Sequence, residues 1–177
     1  MTYRSIVLTL GVAIVLVVAG AAQAATDIRT ITCGQYLGMP AEPSRNFSAW
    51  MSGWFSYQSR RTFVDFSLHQ TNVTNVKAWC QSNPGQSVMV GLETAVGVNA
   101  QPSATLDFNK ITCGSWLGYA PEDRNFVVFF MSGYYNAAAN NSVLDGERLQ
   151  KNASTVAAYC AKNKSRTLPT AIQNRAN

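Results

Sequence analysis

The sequence predicts an all-α protein of two tandem small four-helix domains, each closed by one disulfide, and three observations predict it. One apolar stretch free of proline and charge occurs twice, as FSAWMSGWFSY from Phe47 to Tyr57 and as FVVFFMSGYYNAAA from Phe126 to Ala139. Both centre on Met-Ser-Gly (Met51–Gly53 and Met131–Gly133), followed by an aromatic pair. The four cysteines repeat one spacing, Cys33 to Cys80 and Cys113 to Cys160, 47 positions in each case. Sliding the sequence so that Cys33 falls on Cys113 aligns the halves without a gap: Ile31-Thr32-Cys33-Gly34 meets Ile111-Thr112-Cys113-Gly114, and Ala78-Trp79-Cys80 meets Ala158-Tyr159-Cys160. Spacing kept to the residue over that length is a tandem duplication.

Each element follows from local pattern. Thr32 is the N-cap of a short first helix that ends near Gly38. Met39 to Arg45 reads as a Pro/Glu/Arg loop leading into the apolar central helix. That helix is roughly 15–20 Å long, too short for a bilayer core of ~30 Å, so it reads as a buried centre. Its Ser-Gly pair permits another helix to come close, at some cost in helix propensity. Thr62-Phe63-Val64-Asp65 is an extended connector. A third helix runs from about Leu68 to Gln81, with Val73, Val76, Lys77 and Cys80 spaced at three and four. Asn83-Pro84-Gly85 stops it, and Ser87 to Val96 makes a short fourth helix. In the second copy Glu147 to Asn163 is the third helix and Thr167 to Arg175 the fourth. The domains are placed at 31–97 and 110–177, with 98–109 as linker.

The first 24 residues read as a signal peptide: Arg4, an apolar run from Ile6 to Ala19, and Ala22-Gln23-Ala24 as the small-x-small cleavage pattern. Export places the chain in an oxidising compartment, where an even cysteine count reads as disulfides. Of three pairings the repeated spacing favours Cys33–Cys80 with Cys113–Cys160. Closing each loop stabilises by about 4 kcal/mol in the chain-entropy model, a large share of the stability of so small a domain. The 14 basic residues, one of them Arg4 in the leader, outnumber nine acids but are scattered, with Lys162, Lys164 and Arg166 their one cluster. Nucleic-acid binding calls for a denser stripe with exposed aromatics, so no nucleic-acid partner is expected. No membrane association is expected once the leader is removed.

Catalysis finds little support. His69 is the sole histidine, with Asp65 four positions before it and Ser67 two. Its second-copy counterpart is Leu149, there is no nucleophile elbow or oxyanion-hole motif, and His69 reads as a surface residue at the start of the third helix. Asp65 and Asp145 recur at matching positions and read as turn or cap residues. Phosphate loops and metal clusters are absent, so the expectation is no enzyme, no cofactor and no metal.

Taken together, Thr32-Cys33-x-x-Tyr36-Leu37, the aromatic helix with Ser-Gly, Val64-Asp65, and Val76-x-x-Trp79-Cys80-x-x-Asn83-Pro84 resemble the HdeA/HdeB family, as do their second-copy counterparts. The resemblance covers about Ile31–Val96 and Ile111–Arg175, and this chain carries two domains where the studied members carry one. It implies two HdeA-like domains and a periplasmic, ATP-independent holdase that exposes apolar surface at low pH and keeps acid-denatured proteins from aggregating. The alternative is a periplasmic binding or inhibitor/immunity module that recognises one folded partner.

The aromatic residues spread around nearly every face of the central helices, more than a domain of this size buries alone. The central helices are therefore expected to pack as an intramolecular pseudo-dimer, or in a homodimer. The client or interface residues would be Phe47, Trp50, Met51, Trp54, Phe55, Phe129, Phe130, Met131, Tyr134 and Tyr135. Acid-sensing candidates are Asp65, Asp145 and Glu147, with Asp65 pairing Arg60 or Arg61 and Glu147 pairing Lys151 at helical spacing.

Overall fold

The computed structural model describes residues 25–96 and 105–175. The leader, its cleavage point and the first part of the linker lie outside the described residues. Each repeat opens on a short strand, β1 (Thr26–Asp27) and β3 (Thr105–Asp107), running into a single 3-10 turn, Ile28–Thr30 and Phe108–Lys110. Residues 105–109, read from sequence as linker, are thus ordered structure. Asp27 and Asp107 cap these turns by accepting from the backbone N–H of Arg29 and Asn109.

A capping box starts the next helix in each copy, α1 (Cys33–Leu37) and α5 (Cys113–Leu117). The Thr32 and Thr112 hydroxyls accept from the N–H of Gln35 and Ser115, whose side chains accept from the threonine N–H in return. The long helices α2 (Ala41–Gln58) and α6 (Pro121–Ala138) follow almost at once. The expected loop from Met39 to Arg45 shrinks to two residues, because Pro43 falls in the first turn, where the missing N–H has no helical partner to lose. Both helices close with the same left-handed residue, Arg60 (φ 53°) and Asn140 (φ 50°). The bonds Arg61 N–H to Ser56 C=O (2.8 Å) and Arg60 N–H to Tyr57 C=O (2.9 Å), repeated at Asn141–Asn136 and Asn140–Ala137, are those of a Schellman stop.

The connectors are strands β2 (Phe63–Asp65) and β4 (Val143–Leu144). Asp65 and Asp145 cap α3 (Phe66–Ser82) and α7 (Gly146–Lys162), accepting from Leu68 and Arg148 N–H at 2.9 Å. The last helices are α4 (Val88–Ala95) and α8 (Leu168–Arg175). The disulfides join Cys33 to Cys80 and Cys113 to Cys160, tying the start of α1 to the end of α3 and α5 to α7. All four sulfurs sit inside the two cores. Among the described residues no helix is long and apolar enough to cross a membrane.

The repeats are not beads on a string. The contact between α2 and α6 is the largest between any two elements. Gly53 lies against the α6 backbone, where a Cβ would collide with the carbonyl of Phe130, and Gly133 reciprocally faces the carbonyl of Trp50. Two copies of one motif thus meet glycine to backbone around a local pseudo-twofold axis, the close approach that the Ser-Gly pair predicts.

The strands make the second tie. β1 of the first repeat pairs antiparallel with β4 of the second (Thr26 opposite Leu144), while β3 of the second pairs with β2 of the first (Phe63 opposite Asp107). Each repeat therefore donates its opening strand to the other's connector. The exchange continues into the turns: Ile28 N–H donates to Ser142 C=O at 2.9 Å, and Phe108 N–H to Thr62 C=O at 3.0 Å. The short strands of this otherwise helical fold are its clasps.

Candidate functional site

The α2/α6 interface concentrates the aromatic side chains, and its rings form one connected ladder built from both repeats. Phe66 meets Phe126 (5.2 Å between ring centres), Phe126 stacks on Phe130 (6.1 Å), and Phe130 meets Phe108 (5.8 Å). Phe108 then packs on the edge of Tyr134 (4.7 Å), and Tyr134 meets Tyr57 of the first repeat (5.2 Å). Its two ends, Phe66 and Tyr57, are exposed, Phe126 and Tyr134 are half-buried, and Phe130 and Phe108 are buried. Such pairs add about 0.5–1.5 kcal/mol each beyond the area they bury. Tyr57, Phe66, Phe108 and Phe126 were not among the expected interface residues. Phe66 and Phe108 lie outside the apolar runs, and only the fold brings them to the seam.

Of the ten expected interface residues, Phe47, Trp50, Met51, Trp54, Phe129, Phe130 and Met131 are buried in the two cores, and Phe55, Tyr134 and Tyr135 are partly buried against them. Phe129 belongs to the first repeat's core, where Ala137, Leu144 and Leu149 also pack, and Val64 belongs to the second's. The cores are shared across the seam. Burial raises the Tyr135 hydroxyl above the usual tyrosine value, with the neighbouring Tyr134 adding to it.

The clasps carry the clearest carboxylate. Asp27 chelates the Arg29 guanidinium at 2.9 and 3.2 Å and accepts from Arg29 N–H at 3.0 Å. It also accepts from the Ser142 hydroxyl of the other repeat. Arg29 first, then Ser142, hold its carboxyl well below the usual range. The second clasp has a looser pair, Lys110 with Asp107 at 3.6 Å.

The expected acid sensors are placed differently. Asp145 pairs Arg148 at 3.9 Å as well as capping α7. No ion pair between Glu147 and Lys151 occurs among the described residues. Asp65 is buried at the head of α3, where its carboxylate serves as the cap.

His69 is not the surface residue its sequence position suggests. It is half-buried, its Nδ1 2.6 Å from Ser52 Oγ on α2, and its ring meets Phe126 of α6 edge-on at 5.1 Å. Burial lowers it to about 4 from the ordinary histidine value. Sequence reasoning missed this because the lid over His69 is a side chain of the other repeat. No group of three or more potential metal ligands occurs among the described residues.

The model of the HdeA/HdeB family matches the chain twice, over residues 5–90 and 88–170, once for each repeat. No curated protein and no solved structure matches it.

Proposed function

We propose, from the fact that the chain belongs to the HdeA/HdeB family, that it is a periplasmic, ATP-independent acid-stress holdase working as a one-chain dimer. The observation that carries the reading is the aromatic ladder: a long apolar surface, built from both repeats and buried at its centre, is held in one seam by two short clasps. Opening that seam would present the ladder to unfolded chains, and the apolar side chains now shared between the cores would join it.

Acid supplies the opening force in two ways. Carboxylates neutralise while the basic side chains stay charged, so self-repulsion grows. Asp27 has a folded value below its unfolded one, so its contribution is present above about pH 4 and is lost as pH falls through the folded value. Protonated Asp27 can no longer chelate Arg29 as a carboxylate, and the clasp to Ser142 weakens. Each disulfide meanwhile keeps its own repeat compact, limiting the loosening to the seam.

The experiment is light scattering of an acid-denaturing client at pH 2–3 and at pH 7, with and without the protein. Suppression of aggregation at low pH alone is the expected result. No suppression at either pH would sink the holdase reading and leave a scaffold in search of another role.

A further inference from the structure

We propose that His69 is a dedicated proton switch on the seam, releasing α3 from α6 at mildly acidic pH before the carboxylate clasp yields. The proposal rests on the holdase reading for its purpose, but its chemistry is independent of it.

The geometry comes first. His69 sits one turn into α3, wedged between Ser52 of α2 and Phe126 of α6, so a single ring touches all three helices that meet there. It borders two spaces: the interior of the first repeat, and an open groove of about 570 Å³ between the repeats. Its neighbour Phe66 packs on the same Phe126, so the first turn of α3 is held to α6 by an imidazole and a phenyl ring gripping one side chain. The equivalent place in the second repeat holds Leu149, half-buried against the first repeat's apolar core. The duplication has kept the scaffold and left a titratable group on one side only.

A proton placed on this ring lacks compensation. The charged groups lining the same two spaces are Glu42 and Arg45 of α2, Asp65 and Lys77 of α3, Arg61 of the turn after α2, and Glu122 and Asp123 of α6. None of these charges offsets the shift of the ring, whose one cause is burial. The Ser52 hydroxyl can accept from a protonated Nδ1, but one neutral acceptor does not replace water around a cation. Moving the ring outward into the groove restores that water. The move takes the first turn of α3 with it and bares Phe126, the hinge point of the ladder.

The direction in pH follows from linkage. The ring is neutral in the closed state down to about pH 4, while in an opened seam it titrates near the ordinary histidine value of 6.5. The open state therefore binds more protons throughout that window, and its population relative to the closed state rises roughly tenfold per pH unit, by about two orders of magnitude in all. The carboxylate clasp answers at lower pH, so the two devices act in sequence.

The test uses the sole histidine as its own reporter. Proton NMR of the imidazole across pH 8 to 3 is expected to show a midpoint between the closed-state value of about 4 and 6.5, with the Phe126 resonances moving over the same range. A midpoint near 6.5 with Phe126 undisturbed would overturn the proposal. Binding of an apolar-surface dye is then followed over the same range in the wild type, in His69→Leu, which borrows the second repeat's residue, and in Ser52→Ala. His69→Leu should abolish the dye-binding step between pH 6.5 and 4 and leave the lower one in place, whereas an unchanged profile would overturn the switch. Ser52→Ala should retain the step at a shifted midpoint. Client protection at pH 2–3 separates the two readings: its absence, with the histidine step present, removes the holdase and supports the switch.

Discussion

The two repeats share a backbone and differ in how they are filled. Caps, disulfides, left-handed helix stops, exchange strands and glycine contacts recur at matching positions, while the packing beneath them has changed in compensated pairs. Under the first repeat's third helix, Phe55, Leu68, His69 and Val73 leave a cavity of only about 60 Å³; with Tyr135, Arg148, Leu149 and Ala153 in their places the second repeat keeps about 340 Å³. The first repeat places Trp50 and Trp54 on its central helix, their indole N–H groups buried without a hydrogen-bond partner, where the second has Phe130 and Tyr134. The first is the tighter and the more strained for polar groups. What the difference teaches is that backbone-directing residues cannot drift separately in two copies that interlock, whereas side chains filling a space can drift in company.

The largest effect tests the seam itself. Alanine at Gly53 or Gly133 drives a Cβ into the carbonyl of the opposing helix, so each should cost about 3 kcal/mol or more, at the upper end of overpacking penalties. Denaturant unfolding of both variants checks it. Equal losses would uphold the pseudo-twofold, and a loss at one position alone would break it.

Next is a swap between repeats. Gly91 faces Trp79, whose ring a Cβ would meet at 2.8 Å, and the matching pair in the second repeat is Ala171 with Tyr159. Gly91→Ala should cost about 1–3 kcal/mol. Adding Trp79→Tyr should recover part of that, with a coupling of roughly 0.5–1 kcal/mol in a double-mutant cycle. Strict additivity would show that the two positions did not change together.

Asp27→Asn sharpens the comparison of the clasps. It should lower stability at neutral pH and flatten the pH dependence below about pH 4, because the variant lacks the depressed Asp27 carboxyl. A stability–pH curve parallel to the wild type's would shift attention to the other carboxylates. The smallest effect concerns the helix stops. Arg60→Gly should stabilise by about 0.5 kcal/mol, since arginine tolerates a left-handed backbone poorly, and Asn140→Gly by less, since asparagine tolerates it better. The order of the two melting temperatures checks it.

Much of this was legible in the sequence because its causes are local. Thr32, Thr112, Asp65 and Asp145 act within three residues of themselves, and the cysteine spacing needed only a duplication to be read. Even the seam was announced, by Ser-Gly in the middle of an aromatic helix. The exchange of strands between repeats was not, although Thr62–Asp65 reads as extended: β1 and β4 are two residues each, far apart in the chain, and become strands only when docked. His69 failed for the same reason. Its neighbours Ser67 and Gln70 are those of a surface position, and what buries it is Phe126 from the other half. Residues whose state depends on the partner repeat are the ones that single-sequence reasoning misplaces, and in this molecule they are also the ones on which a proton can act.

The exchange of opening strands also dictates an order of assembly. Each disulfide closes a loop within one half, so oxidation can follow that half as soon as both its cysteines are available. The strand pairs obey another clock. Thr26, among the first of the described residues, finds its partner only at Leu144, so the first half waits for most of the second before its edge is covered. Local cross-links form early and the lock between halves forms last, the slow kind of closure that long sequence separation imposes. A chain that releases the last step reversibly, while the earlier ones are held covalently, can come apart without losing its way back.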